Sequence, residues 1–541
     1  MKIEKVKNAK RNLIVGLFNR GVSLIVPFIM RNIMIQLLGA EYLGIDSLFT
    51  SILQVLNIAE LGISTAIVYS MYKPIAEDDV KTICALLNLF KKIYKIIGIL
   101  ILSIGFALMP FLPNFINTSP EIGGGIPSGI NLYFVFFIYL INTFIGYFVL
   151  GYKTAIPNAL QRVDIVTNVN TFVRFFLALS QIIILILLGK IDFPSRILYY
   201  LYLLIIPIST LVNNIILASL VNKYYPEFVC KGKVSKGLKK QIKIKVSGLV
   251  INKLCQTTRN SLDSICVSSF FGLTVTTMYN NYFYVISALT SIITIVVNSV
   301  IAGIGNSIVT ESVDKNYNDF RKLNFLYMWI SGWMAICCIC LYQPFMQIWV
   351  GKKLMFPFTM SVCFGIYFYV LRMGDLRGAY SDAAGLWWEN RYRAIAESII
   401  NIVLNIVLGK LLGVLGIILA TVISLFFVNF FLGSQIVFKY YFKNEKIREF
   451  YGDQIKFLLV TCFIGAITLT ICYNVNVLLG LGNYLESSRN PMLSMPVNIF
   501  ICTIITCFLY LLFYKRTILF KETMKWFLMK SKYGKYFIKF I

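Results

Sequence analysis

Long apolar runs separated by short polar gaps fill the 541-residue chain. They centre on 12–36, 44–71, 84–109, 130–151, 165–189, 196–221, 246–271, 276–309, 323–349, 356–383, 394–411, 415–438, 456–477 and 495–514. A helix rising about 1.5 Å per residue needs about 20 apolar residues to cross a hydrocarbon layer of roughly 30 Å, and most of these runs suffice. The pattern predicts an all-α, polytopic membrane protein with about 14 transmembrane helices. The first run follows a basic segment, as a signal peptide would, but it continues to residue 36 and carries Arg20 and Arg31. It therefore reads as a retained first span.

The polar gaps divide by charge. Of the 51 Lys and Arg residues, 35 fall in one alternate set of gaps and 6 in the other. The rich set includes Lys2–Arg11, Lys223–Lys245, Lys439–Lys456 and Lys515–Lys539; the poor set includes Lys190, Arg196, Lys352, Lys353, Lys410 and Arg489. Basic loops stay on the cytoplasmic side, so both termini are expected inside a bacterial cytoplasmic (inner) membrane. The net charge of +27 thus reads as membrane-flanking charge meeting anionic lipid head groups, and not as a nucleic-acid surface.

Composition narrows the chemistry. With 58% hydrophobic and 14% charged residues, no soluble domain fits between the spans. The longest outer loops, about 110–130 and 475–495, are too short to fold alone. The chain has no histidine, which removes His-based triads, His-ligated metals and His proton relays. Twelve cysteines are scattered through apolar runs. Despite the formal Cys337–Cys340 spacing they are expected to pack as small apolar side chains, with no metal site and no cofactor. Trp329, Trp333, Trp349, Trp387 and Trp388 near run ends fit an interfacial belt.

A faint internal repeat has an offset of 233 residues. It lays Asn19-Arg20 on Asn252-Lys253, Ser23 on Gln256, and Gly39 on Gly272. Six spans separate the equivalents, so the halves share orientation, as in transporters with a pseudo-twofold along the membrane normal. The expected organisation is two pseudo-symmetric six-helix lobes, 1–230 and 231–445, plus two extra C-terminal helices and a basic cytoplasmic tail at 446–541.

Ionisable groups within the runs are the candidate chemistry, because an unpaired charge at a bilayer centre costs at least about 2.5–3.5 kcal/mol. Arg20 and Arg31 lie eleven residues, about three turns, apart on run 1 and share one face with Asn19 and Ser23 nearby. Run 7 carries Asn252, Lys253, Gln256, Arg259, Asn260 and Asp263 at helical spacing. Arg174, Arg372, Asp375, Arg377, Glu60 and Glu397 complete the set. At about 1.5 Å per residue, Arg20, Lys253, Arg174, Arg372, Glu60 and Glu397 sit roughly 6–18 Å above the cytoplasmic face. Structural roles compete with functional ones: Arg31, Asp375 and Arg377 could snorkel, Arg259 could pair with Asp263, and Glu60 and Glu397 could neutralise arginines.

With these residues in place, the chain resembles the polysaccharide repeat-unit flippases (Wzx-like) of the multidrug/oligosaccharidyl-lipid/polysaccharide exporter superfamily. The carriers are LLGAEYLGIDSLFTSILQVLNIAELGISTAI at the run 1–2 turn, DSICVSSFFGLTVTTMYNNY from Asp263, and NIVLNIVLGKLLGVLGIILATVIS from Asn401. Thr277 stands where the family's run 7–8 turn has glycine. The resemblance implies a MATE/MurJ-like fold that alternates between inward- and outward-open states and moves an undecaprenyl-diphosphate-linked oligosaccharide to the outer leaflet. It also implies association with glycosyltransferases and a polymerase, as a monomer.

The charge pattern suits such cargo, since arginine presents donors in a fork matching phosphate oxygens. Arg20, Arg31, Arg174, Lys253, Arg259, Arg372, Arg377, Asn19, Asn252 and Gln256 are the expected head-group ligands. Asp263, Glu60 and Glu397 are candidates for coupling to a proton or sodium gradient. An exporter of drugs or small molecules on the same fold should favour acidic intramembrane residues. A membrane glycosyltransferase or polymerase should carry acid/base residues in sizeable loops, so a non-enzymatic transporter is the expectation.

Overall fold

The computed structural model describes residues 5–57, 63–118, 125–191, 193–443 and 446–529. Among the described residues each apolar run is mainly helical, and no strand occurs. The helices are α1 Lys5–Leu37, α2 Ala40–Leu56, α3 Ile63–Ala76, α4 Val80–Leu108, α5 Leu132–Phe148, α6 Ala155–Ala159, α7 Val163–Gly189 and α8 Ser195–Tyr224. They continue with α9 Lys236–Thr310, α10 Val313–Trp349, α11 Phe358–Met373, α12 Asp375–Ala383, α13 Arg391–Leu412, α14 Val414–Ile423 and α15 Gly433–Val437. The last are α16 Ile447–Leu478, α17 Pro491–Tyr514 and α18 Ile518–Met529.

Among the described residues, 9 helices are long and apolar enough to cross a membrane, or up to 10 with the bent pair at Leu132–Phe148 and Gly151–Ala159. The other runs are interrupted or joined in ways that hydropathy alone does not register. Run 10 is split between α11 and α12 at Gly374. Runs 7 and 8 are the two helices of the segment labelled α9, which meet at a kink at Gly272, φ 79 and ψ −178. A side chain is strained at that backbone angle, so glycine is required there. Run 12 is helical throughout, with π-helical stretches at Ser424–Leu432 and Phe438–Phe442.

Contacts divide the chain into two compact units, Met1–Tyr279 and Asn280–Ile541. In the first, α1 packs on α7, α7 on α8, α5 on α4 and α8, and α2 on α5. Its core joins Leu48 and Phe49 of α2 to Leu86 and Phe90 of α4 and to Phe136 and Leu140 of α5, with Phe49 and Phe136 edge to face at 5.1 Å. In the second unit, α10 is central, packing on α11, α16 and α17. Tyr282, Tyr342 and Phe364 stack within it, Tyr282 lying 5.0 Å from Tyr342 and 5.6 Å from Phe364. The tryptophan belt is a partial correction. Trp387 and Trp388 are exposed, but Trp349 is buried, and Trp329 packs among Phe325, Tyr510 and Phe520. Helix–helix packing thus claims some of the aromatics that proximity to a run end assigns to the interface.

The repeat is visible in the backbone of the first unit. Gly39 and Gly272, matched by the 233-residue offset, both have positive φ, 116 and 79. The turns they form meet each other. Thr274 Oγ1 donates to Glu41 Oε1 at 3.1 Å, and these two residues are themselves 233 apart. Thr277 Oγ1 donates to the Ala40 carbonyl at 2.6 Å. The equivalent contact is Gly44 against Leu273, where a Cβ on Gly44 would stand 2.3 Å from the Leu273 carbonyl oxygen. Reciprocal contacts of this kind define a local twofold. Thr277 supplies a hydroxyl to one side of it.

Candidate functional site

The polar residues of run 1 are read by α7. On α1, Ile14, Phe18, Ile25 and Ile29 are exposed; at 100° per residue they form one narrow stripe. Asn12, Asn19 and Ser23 fall on the opposite side, with Arg20 and Arg31 beside them. On α7, Phe172, Phe175, Phe176, Leu179, Ile183 and Leu187 are exposed and likewise define a single apolar stripe. Arg174 is also exposed, yet its helical position lies opposite that stripe, on the side of buried Thr171, Ala178 and Gln181. The geometry turns both apolar stripes outward and joins the polar sides.

Three rungs bridge the two helices. Near the start of both helices Asn12 Nδ2 donates to the Gln161 carbonyl at 3.1 Å, and the Asp164 amide donates to Asn12 Oδ1 at 2.8 Å. Here buried Asp164 is shared by Arg11 at 3.2 Å and Arg162 at 3.0 Å. The hydrogen bond to Asp164 holds the Arg162 guanidinium above its ordinary pKa. Higher, Asn19 Nδ2 donates to Thr171 Oγ1. Above that, Arg174 Nη1 donates to Ser23 Oγ at 2.6 Å. Arg174 stands eleven residues into α7, roughly 16 Å from its start, and meets no carboxylate among the described residues.

Arg20 is half-buried on this seam. Arg31, also half-buried, acts electrostatically on Asp46 of α2 and on Tyr202 of α8. Asp46 is a carboxylate that hydropathy reading overlooks, because it stands only two residues inside run 2 and passes for a boundary residue. Its position inside an apolar run is the signal that could have found it.

On α9 the run 7 residues differ in burial along the helix. Lys253 and Gln256 are exposed, whereas Arg259 and Asp263 are buried. The Tyr279 hydroxyl donates to Asp263 Oδ2 at 3.4 Å, and Ser261 Oγ donates to Gln54 Oε1 at 3.1 Å. Asn252 lies on the same helix, and Glu60 lies outside the described residues.

The cations of the second unit are engaged inside it. Arg372, buried, pairs with Asp375 at 2.7 Å and lies 5.6 Å over the Phe368 ring, while the Tyr327 hydroxyl donates to the same carboxylate. Arg377, buried, donates to Asn429 Oδ1 at 2.9 Å. It occupies a notch left by Gly433, where a Cβ would stand 1.8 Å from its Nη1. Asn429 Nδ2 passes the contact on to Glu397 Oε2 at 2.8 Å, and Arg393 Nη1 pairs with the same oxygen at 2.6 Å. The sequence places Arg372, Arg377 and Glu397 among cargo or ion ligands; the structure binds each to a named partner of its own unit.

No family model matches the chain, and no curated protein matches it. Solved structures do. The lipid II flippase MurJ in an inward closed conformation superposes with a TM-score of 0.59 at 14% identity, covering 93% of this chain and 99% of that one. An inward-facing multidrug resistance MATE family transporter of the MOP superfamily gives 0.56 at 12%, covering 75% and 92%. A MOP superfamily transporter from Pyrococcus furiosus, described as having a binding pocket of reversed polarity, gives 0.53 at 12%, covering 80% and 96%. At such identities the likeness is one of fold: the chain is an all-α, multi-pass membrane protein with the fold of the MATE and MurJ transporters.

Proposed function

We propose that this protein is a flippase that carries an undecaprenyl-diphosphate-linked oligosaccharide from the inner to the outer leaflet of a bacterial cytoplasmic membrane by alternating access. The observation that carries the reading is Arg174, an intramembrane guanidinium tethered by a neutral serine on the side of α7 away from its apolar stripe. A diphosphate supplies the countercharge that the described residues do not. Arg20 and Arg31 extend the cationic seam inward and outward from it, with Asn19 positioning α1 through Thr171. Lys253 and Gln256 add exposed donors on α9, and Arg259 contributes positive charge beside Asp263. Asn252 is a further proposed ligand on α9, and Arg372 and Arg377 are proposed ligands within the second unit.

Two features support a transporter over an enzyme: the fold is shared with a flippase and exporters, and the polar groups line helices instead of a loop domain. A cation-coupled exporter of small molecules is the second reading, favoured by the intramembrane carboxylates Asp46 and Asp263. Coupling to a proton or sodium gradient is proposed through Asp263, with Glu60 and Glu397 as further candidates.

Replacing both Arg20 and Lys253 by alanine tests the flippase reading. Lipid-linked sugar should cease to appear on the outer face of cells while folded protein remains in the membrane. Normal export by that variant would remove the proposed site. Drug efflux by the wild-type protein without any effect on lipid-linked sugars would favour the exporter.

A further inference from the structure

Three cysteines distant in sequence meet where α10, α16 and α17 pack together. Cys340, Cys472 and Cys502 are each 0% exposed. Their sulfurs all lie within 4.8 Å of one another, the one such group among the described residues. Cys472 and Cys502 have their sulfurs 3.8 Å apart. That is too far for a disulfide bond of about 2.05 Å. It equals the edge of about 3.8 Å between two sulfurs bound tetrahedrally at about 2.3 Å to one cation. Tyr484, in the loop between α16 and α17, is wholly buried.

We propose that Cys340, Cys472 and Cys502 form a binding site for a thiophilic divalent d10 cation of the zinc class. Thiol sulfur selects soft or borderline cations over magnesium or calcium. The charge closes without a redox step: two thiols release their protons to water and form two metal–sulfur bonds. The third sulfur donates a lone pair while keeping its proton. The filled site is then neutral, as a buried group in a low-dielectric bundle must be. One ligand comes from each helix, so the cation would staple the C-terminal pair α16 and α17 to α10.

The test uses the full chain in detergent with a phosphine reductant and no chelator, titrated with cadmium. The sulfur-to-cadmium charge-transfer band should saturate at one cation per chain, be displaced by zinc, and fall about tenfold or more in Cys472→Ala and Cys502→Ala. Cys363→Ala, a half-buried cysteine on α11, should leave it unchanged. X-ray absorption at the cadmium edge of the wild-type protein should show sulfur neighbours, which keeps the test decisive if the alanine variants do not fold. Absence of cadmium uptake, oxygen or nitrogen neighbours alone, or an undiminished band in folded Cys472→Ala would overturn the site. So would a Cys472–Cys502 disulfide in the protein as isolated.

Discussion

At the residue scale, charged groups inside the membrane sort by what they touch. Arg174 reaches a neutral hydroxyl, whereas Arg393 and Asn429 saturate one oxygen of Glu397. Removing one member of a buried pair costs about 3–5 kcal/mol because the other is left behind. Glu397→Ala should therefore lower the thermal midpoint of the purified protein by several degrees, measured by intrinsic fluorescence. An unchanged midpoint with lost transport would instead mark Glu397 as an ion-coupling group. Arg174→Ala should leave the midpoint within about a degree, since an exposed hydrogen bond to serine contributes little. Its effect should fall on cargo: losing a charge-assisted hydrogen bond of about 1.5–3 kcal/mol weakens affinity roughly 10–150-fold.

The distinction was only half legible in the sequence. Helical spacing shows that Arg20 and Arg31 share a face, but partners such as Asn429 for Arg377 lie 52 residues away, and no local period encodes them. Asp46 escaped because it borders a run. The convergence of Cys340, Cys472 and Cys502 was equally hidden, each being a single small residue in its own apolar segment.

At the element scale, what matters is where helices break. The runs gave the helices because hydropathy and length determine spanning segments; the breaks follow backbone geometry, which hydropathy does not carry. Gly272 stands at the kink between the two helices of α9, and only its match to Gly39 at the repeat offset betrays it. The two glycine turns hold each other through Glu41 with Thr274 and through Ala40 with Thr277. Gly44→Ala would place a Cβ against the Leu273 carbonyl, forcing the turns apart. Cysteine pairs introduced at Glu41 and Thr274 should cross-link readily in the parent protein and much less in the Gly44→Ala variant, as read by gel shift. Equal cross-linking would mean that the backbone accommodates the methyl group without separating the turns.

At the scale of the whole molecule, the alternation of basic and non-basic gaps predicts that both termini face the cytoplasm. Cysteines placed near residue 5 and near residue 516 in a cysteine-free background should react with membrane-impermeant maleimide only after cells are opened. Labelling of either in intact cells would invert or break the proposed topology. In that orientation Asp164 and its two arginines would stand at the cytoplasmic rim, with Arg174 deeper and Arg31 further toward the exterior.

The central claim is that the α1–α7 seam grips a diphosphate. Native mass spectrometry of the protein in nanodiscs containing undecaprenyl-diphosphate-linked sugar measures it directly, comparing the parent with a variant in which Arg20, Arg31 and Arg174 are alanine. The account predicts one retained lipid-linked sugar per parent chain and retention reduced at least about 100-fold in a variant that still folds in the membrane. Equal retention by both proteins would contradict it.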